Sequence, residues 1–145
     1  MSDEQTMIEG LVRAWNTGDG AAWAAHFAED ADFVDVLGRL QRGRAEIARE
    51  CQNILDTIYR GSVLEMREVA SRPLGEDLRL VHTATTLQVP QGPLAGKLAS
   101  IQTKVVRGDQ ILAFQNTIVK SMSEYSNGDP ELASKAPLNW DRPAD

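Results

Sequence analysis

The stretch AEDADFVDVLG, Ala28 to Gly38, is where a helical beginning gives way to strand and where a carboxylate is aimed at the interior. Ala31 to Leu37 alternates with period two, so Phe33, Asp35 and Leu37 share one face of a strand. An Asp between two large apolar neighbours on a core-facing stripe is costly unless it has a partner or a task. Desolvation disfavours the ionised form, so this reading predicts a raised pKa and makes Asp35 a candidate general base. The competing reading puts Asp35 in a turn, which it caps ahead of Gly38.

Upstream of that strand the pattern is helical. Ser2 and Gln5 fit an S-x-x-Q capping box, and Met7, Ile8, Leu11, Val12 and Trp15 recur at helical spacing. Asn16-Thr17-Gly18 ends the helix, with Gly18 suited to a left-handed cap. Asp19 can cap a second, short helix through about Ala28 that buries Trp23 and Phe27. Downstream, Gly38 to Gly43 reads as a turn. A third helix then runs from about Arg44 to Tyr59 on the stripe Ile47, Cys51, Ile54, Leu55 and Ile58.

After Gly61 the period switches to that of strands: Val63 to Arg72, Leu78 to Val89, Lys97 to Arg107 and Gln110 to Lys120. Leu74 to Asp77 and Gly108-Asp109 are turn signals, and Pro90 to Gly96 is a longer Gly/Pro-rich hairpin loop. Helices first and antiparallel strands afterwards predict an α+β domain with helices on one face of a curved sheet. Residues 1–121 read as a single domain. Residues 122–145 read as a polar, mobile tail in which Trp140 is the odd member, suited to docking on the body or on a partner subunit.

A two-residue turn at Gly108-Asp109 pairs Arg107 with Gln110, and the register that follows places Ile101, Thr103, Val105, Leu112, Phe114, Asn116 and Ile118 on the more apolar, interior face. Gln102, Lys104 and Gln115 then belong to a polar outer face, suited to dimerisation. Asn116 becomes a lone amide in an apolar wall, either a satisfied structural residue or one that orients a ligand. His82 shares parity with Leu78 and Leu80 and points inward, as a hydrogen-bonded core residue or as an acid/base partner.

Composition narrows the function classes. The chain has 145 residues, 42% hydrophobic and 25% charged, with a net charge of −6. That is the range of one globular domain with room for a core and a pocket. There is no basic cluster for nucleic acid and no apolar run of the roughly 18 residues that span a bilayer. The acidic N-terminus does not read as a secretion signal, so a soluble cytoplasmic protein is expected. Two histidines and one cysteine give neither a disulfide nor metal-ligand spacing, so no metal is expected. Elbow, phosphate-loop and dinucleotide motifs are missing, so no cofactor is expected. Cys51, in a helical stripe, suits inert packing.

AWNTGDGAAWAAHFAEDADFVDVLG, then RGRAEI, then AFQNT resemble the SgcJ/EcaC-type family of the nuclear transport factor 2-like superfamily, whose relatives include SnoaL-like cyclases and ketosteroid isomerase. The resemblance covers about Glu4 to Lys120. It implies a cone: a curved mixed sheet wrapped round three N-terminal helices, with an internal pocket at the open end, usually in a homodimer. The D-A-T-x-E-D-P-x-G segment of ketosteroid isomerase matches Asp30 to Gly38 without a gap, and its base falls on Asp35. Its oxyanion-hole tyrosine falls on Leu11, a supporting tyrosine on Cys51, and its protonated aspartate on Ile101. Loss of one such donor typically costs about 2.7–4 kcal/mol of transition-state stabilisation, so the usual steroid isomerase mechanism is not expected.

The better-known members of the SgcJ/EcaC-type family sit in gene clusters for enediyne antibiotics, which are built by a polyketide synthase. The resemblance therefore implies an accessory protein that binds an apolar, polyene-like molecule, with a polyketide synthase as a further partner. One version is enzymatic: a cofactor-independent isomerase, cyclase or dehydratase in which Asp35 moves a proton and His82 or Asn116 orients the substrate. The other is a non-catalytic carrier or chaperone. In either, Trp15, Trp23, Phe27, Phe33, Leu11, Cys51, Ile101, Thr103, Phe114 and Ile118 are the expected pocket residues.

Overall fold

The computed structural model describes residues 3–140. Its elements run α1 (Asp3–Asn16), α2 (Gly20–Ala24), β1 (Phe27–Val34), β2 (Leu40–Arg42) and α3 (Arg44–Asp56). Four long strands follow: β3 (Val63–Pro73), β4 (Leu78–Val89), β5 (Gly96–Arg107) and β6 (Gln110–Ile118). They form one curved six-stranded sheet in the order β2-β1-β6-β5-β4-β3. It is mixed, because β1 runs parallel to β6 while the other neighbours are antiparallel. The fold is α+β, with helices first and a sheet that does not close into a barrel.

α1 buries Met7, Ile8, Leu11, Ala14 and Trp15, the stripe set by its helical spacing. Ser2, the expected cap, lies outside the described residues. Two side chains tie the end of α1 to β3. Trp15 Nε1 donates to Ser62 Oγ at 2.9 Å, and the Asn16 amide brackets Leu64, accepting from its N–H at 2.7 Å and donating to its carbonyl at 3.2 Å. Gly18, at φ +70°, then reverses the chain. Asp19 caps α2 by accepting from the Ala22 N–H at 2.9 Å. Gly20 lets α2 cross α3 closely, since a Cβ there would stand 2.8 Å from the Ala48 carbonyl and from the Gln52 nitrogen.

α2 ends at Ala24 rather than near Ala28, because Phe27 is already paired with Ile111 in the sheet. β1 stops at Val34, short of the expected Leu37, and the Gly38–Gly43 stretch contains β2, which pairs Val34 with Leu40 and Phe33 with Gln41. α3 ends at Asp56, three residues before Tyr59. The tail is less featureless than its composition: a capping box between Ser121 and Glu124 starts a short helix, α4 (Met122–Tyr125), and a 3-10 turn spans Pro130–Leu132. The Arg67 guanidinium of β3 sits 5.8 Å from the Trp140 ring centroid, so the tail docks on the body.

The largest departure from the sequence reading is in register. Arg107 does pair with Gln110, but a bulge at Val105/Val106 shifts every later pair by one, giving Lys104–Phe114 and Gln102–Asn116. A one-residue slip exchanges the faces of a strand. Phe114, Asn116 and Ile118 remain inward, while on β5 the inward set becomes Ser100, Gln102, Lys104 and Val106. Gln102 and Lys104 are buried, so they are not part of an outer dimerisation face. On β4 the inward set is Val81, Thr83, Thr85 and Leu87, which turns His82 outward beside Thr103.

Candidate functional site

The concave face of the sheet and the helices enclose a cavity of about 270 Å³ that opens at one end. Trp15 comes from α1, Trp23 from α2, Phe33 from β1, Leu87 from β4, and Phe114 and Ile118 from β6. Phe33 lies flat on Phe114, with centroids 4.6 Å apart and planes within 7°, and Trp23 meets Phe114 edge-on at 6.1 Å. Aromatic packing of this kind holds the wall rigid. The mouth is apolar as well: Leu37, Ile58 and Leu94 line it and are 77%, 37% and 36% exposed.

Of the residues singled out in the sequence, Asp35, Asn116, Trp15, Trp23, Phe33, Cys51, Phe114 and Ile118 line this cavity. Leu11 and Phe27 do not; both are fully buried behind the wall. Ile101 and Thr103 lie on the outer face because of the bulge between β5 and β6. His82 is there too, its Nδ1 3.1 Å from Thr103 Oγ1, and it does not face the cavity. Cys51 has its thiol pushed up to about 12, first by burial and then by the charge of Asp19, so it is a protonated packing group.

Asp35 departs from the strand reading in its chemistry. Its main chain opens a turn, with its N–H donating to the Arg39 carbonyl and its carbonyl accepting from the Gly38 N–H. Its carboxylate accepts from the Leu37 N–H at 2.9 Å, the Arg39 N–H at 3.0 Å, Arg39 Nε at 2.8 Å and Gln41 Nε2 at 3.3 Å. Burial pushes its pKa up, but the Arg39 backbone and guanidinium and the Leu37 N–H outweigh that and hold it below the usual carboxylate value. The expected raised pKa is therefore absent, and Asp35 is a turn-capping, ion-paired carboxylate at the cavity's edge. Tyr59, packed 5.7 Å from Trp15, also lines the cavity. Burial, and secondly the Asp35 charge, push its phenol up and keep it neutral.

One wall is polar, and hydrophobic periodicity hid it. Gln102 Oε1 accepts from Thr83 Oγ1 at 2.8 Å, while Gln102 Nε2 donates to Thr85 Oγ1 at 3.1 Å, Ser100 Oγ at 2.9 Å and Asn116 Oδ1 at 2.9 Å. Behind it, Lys104 is 1% exposed. Its Nζ donates to Thr83 Oγ1, lies 3.7 Å from Met66 Sδ and sits 5.0 Å from the Phe114 centroid. Burial pushes its ammonium down to about 7. The signal that locates this wall is the adjacent apolar pairs Val105-Val106 and Ile111-Leu112, which break alternation on both strands of one hairpin. Among the described residues no cluster of His, Cys, Asp or Glu has the makings of a metal site, and no helix is long and apolar enough to cross a membrane.

Solved structures share this architecture. A domain of unknown function with a cystatin-like fold from Nostoc punctiforme is 28% identical over 86% of this chain and 82% of that one, with a TM-score of 0.76. An uncharacterised cystatin-like protein from Caulobacter vibrioides is 25% identical over 89% and 94% of the two chains, with a TM-score of 0.71. A ketosteroid isomerase-like protein from Erwinia carotovora atroseptica, 15% identical over 80% and 93% with a TM-score of 0.66, shares the fold. No curated protein sequence matches the chain. The SnoaL-like domain family matches residues 8–115, a match that suggests polyketide cyclase-like, isomerase-like or ligand-binding function in general terms. With helices, sheet and cavity arranged as described, the chain belongs to the SnoaL-like domain family.

Proposed function

We propose that this protein binds an apolar, polyene-like small molecule in the cavity between sheet and helices and acts as a carrier or chaperone for it. The observation that carries the reading is the combination of an aromatic wall with an exposed apolar mouth at Leu37, Ile58 and Leu94. Asp35 supports binding over catalysis, because a carboxylate saturated by hydrogen bonds from Leu37, Arg39 and Gln41 is a weak base. The resemblance to the SgcJ/EcaC-type family suggests a polyketide intermediate as the natural ligand, with its synthase as a partner. Leu80, Ile101 and Val105 on the outer sheet face suit the pairing of two copies.

Diphenylhexatriene is the probe of choice: an apolar polyene whose absorption overlaps tryptophan emission, with Trp15 and Trp23 in the wall. The expected result is bright probe emission with matching quenching of tryptophan, abolished by Ile118→Trp, which fills the cavity. An Ile118→Trp variant that folds and binds as well as the parent would refute the site.

A second reading, acid/base chemistry, is favoured by the Asp35 carboxylate lying on the cavity wall with neutral Tyr59 also lining it. Asp35→Asn separates the two. Under the carrier reading it changes probe affinity by about twofold or less, as substitutions away from the main contacts do. Under the catalytic reading the parent accelerates deuterium exchange at the α-carbon of 2-acetylnaphthalene and Asp35→Asn does not. No acceleration by the parent removes the catalytic reading. Stability also responds: the lowered pKa means that the Asp35 contribution is present above the ordinary carboxylate value and is lost as pH falls through the folded-state value. Asp35→Asn should therefore cost about 1 kcal/mol or less at neutral pH, with the gap closing in acid.

A further inference from the structure

We propose that Lys104 is a positioning residue: through Thr83 and Gln102 it fixes Asn116 as a hydrogen-bond donor into the cavity, selecting apolar ligands that carry a hydrogen-bond-accepting oxygen such as a ketone. The inference rests on the ligand-binding reading and adds the chemical class of the ligand.

Direction is forced along the chain of groups. An ammonium donates and never accepts. Its neighbours are a hydroxyl, a thioether and an aromatic face, from Thr83, Met66 and Phe114, and none of them is charged. Thr83 Oγ1, having accepted from Lys104, gives its own proton to Gln102 Oε1 at 2.8 Å. That settles the Gln102 amide, with its oxygen toward Thr83 and its nitrogen toward the cavity side. An amide nitrogen also only donates, so Asn116 must turn Oδ1 to it, as it does at 2.9 Å. Asn116 lines the cavity, and Nδ2 is the end of its amide left for a ligand. With the cation gone, the chain runs equally well in reverse, with Gln102 donating to Thr83 and Asn116 showing an oxygen. The buried charge is thus the one element that makes the wall a donor.

Lys104 itself is 1% exposed and absent from the lining, so its effect on a ligand passes through Asn116. A cation at the head of such a chain also polarises each bond in turn.

The test compares 2-acetylnaphthalene with 2-isopropenylnaphthalene, which differ by a carbonyl oxygen for a methylene, at about pH 6, below the value of about 7 to which burial pushes the ammonium. Calorimetry reads affinity, and the infrared carbonyl band reads the hydrogen bond directly. The parent should prefer the ketone about tenfold, one hydrogen bond's worth, with the band moved to lower frequency. Lys104→Met, close in volume, should bind the hydrocarbon as before but show a smaller ketone preference and a weaker band shift, because the ketone must then turn the Asn116 amide itself. Thr83→Val breaks the chain one step later and should do the same, which covers a Lys104→Met variant that fails to fold. Equal binding of ketone and hydrocarbon by the parent, or a ketone preference and band shift that survive both variants undiminished, would overturn the proposal while leaving the cavity reading intact. Failure of the parent to bind either naphthalene, or diphenylhexatriene, would instead sink the cavity reading and this proposal with it.

Discussion

Lys104→Met should make the protein more stable at neutral pH, by about 1–4 kcal/mol, the range seen when buried ion pairs are replaced by well-packed apolar side chains. Lys104 is 1% exposed, and its folded-state pKa is pushed by burial from 10.5 down to about 7. The cation–π contact with Phe114 and the bond to Thr83 recover part of that cost. A base whose folded pKa lies below its unfolded value burdens the fold fully below the folded pKa. Between the two values the unfolded chain holds more protons, so the stability of the parent rises with pH, and above the unfolded value the burden is gone. The advantage of Lys104→Met should therefore be constant below about pH 7 and then shrink by about 1.4 kcal/mol per pH unit. Denaturant melts of both proteins from about pH 6 to pH 9 read this difference, in which the shifted Cys51 and Tyr59 cancel because both proteins carry them. A gap that does not vary with pH, or a variant less stable than the parent at low pH, would contradict it. A group retained at such a cost calls for a task, and ordering the Gln102–Asn116 wall is one that its geometry supplies.

The three N-terminal helices, the four long strands and most of the aromatic lining are legible in the sequence because apolar side chains repeat at the period of the element that buries them. That repeat puts Phe114 and Ile118 on the inward face, where the structure has them, but it reverses β5, whose inward side is polar. Gln102 and Lys104 sit inside as parts of a hydrogen-bonded network, and a pattern that sorts residues by hydrophobicity sends them outward. The two-residue turn did set the pairing of Arg107 with Gln110, but the bulge two residues on reversed its consequence. The same sorting turns His82 inward, whereas the Thr83 and Thr85 hydroxyls beside it belong to the interior network. Asp35 lies on the cavity wall, and of its two readings the structure shows the turn cap ahead of Gly38 rather than the desolvated base. The alternation through Leu37 looked like strand, whereas the Gly38 turn gives the carboxylate two backbone N–H donors and an arginine. Turn capping competes with strand pairing for a residue of this kind, and the period of the pattern does not distinguish them.

Phe27→Ala should be the most damaging single truncation, and its contrast with Phe33→Ala separates the core from the ligand wall. Phe27 is fully buried, with ring centroids 6.1 Å from Trp23, 5.8 Å from Phe33 and 5.7 Å from Phe114. Its carbonyl also accepts from Arg44 Nε at 2.8 Å, which anchors the start of α3 to β1 whatever the side chain. Removing the ring leaves a void that three packed aromatics cannot fill without moving, so the loss should be about 3–5 kcal/mol, on the order of 10 °C in Tm. Phe33 is half-buried and stacked on Phe114 at 4.6 Å, with one side of its ring given to the cavity. Truncating it should cost about 1–2 kcal/mol of stability from the lost stack and partial burial. It should weaken diphenylhexatriene binding more, by roughly tenfold, because the ligand loses the surface it lies on. Measured just below the melting range of the weaker variant, Phe27→Ala should retain more affinity per kcal/mol of stability lost than Phe33→Ala. If both variants lost stability and affinity in the same proportion, the aromatic cluster would act as one body, and the wall would have no binding role separate from its packing.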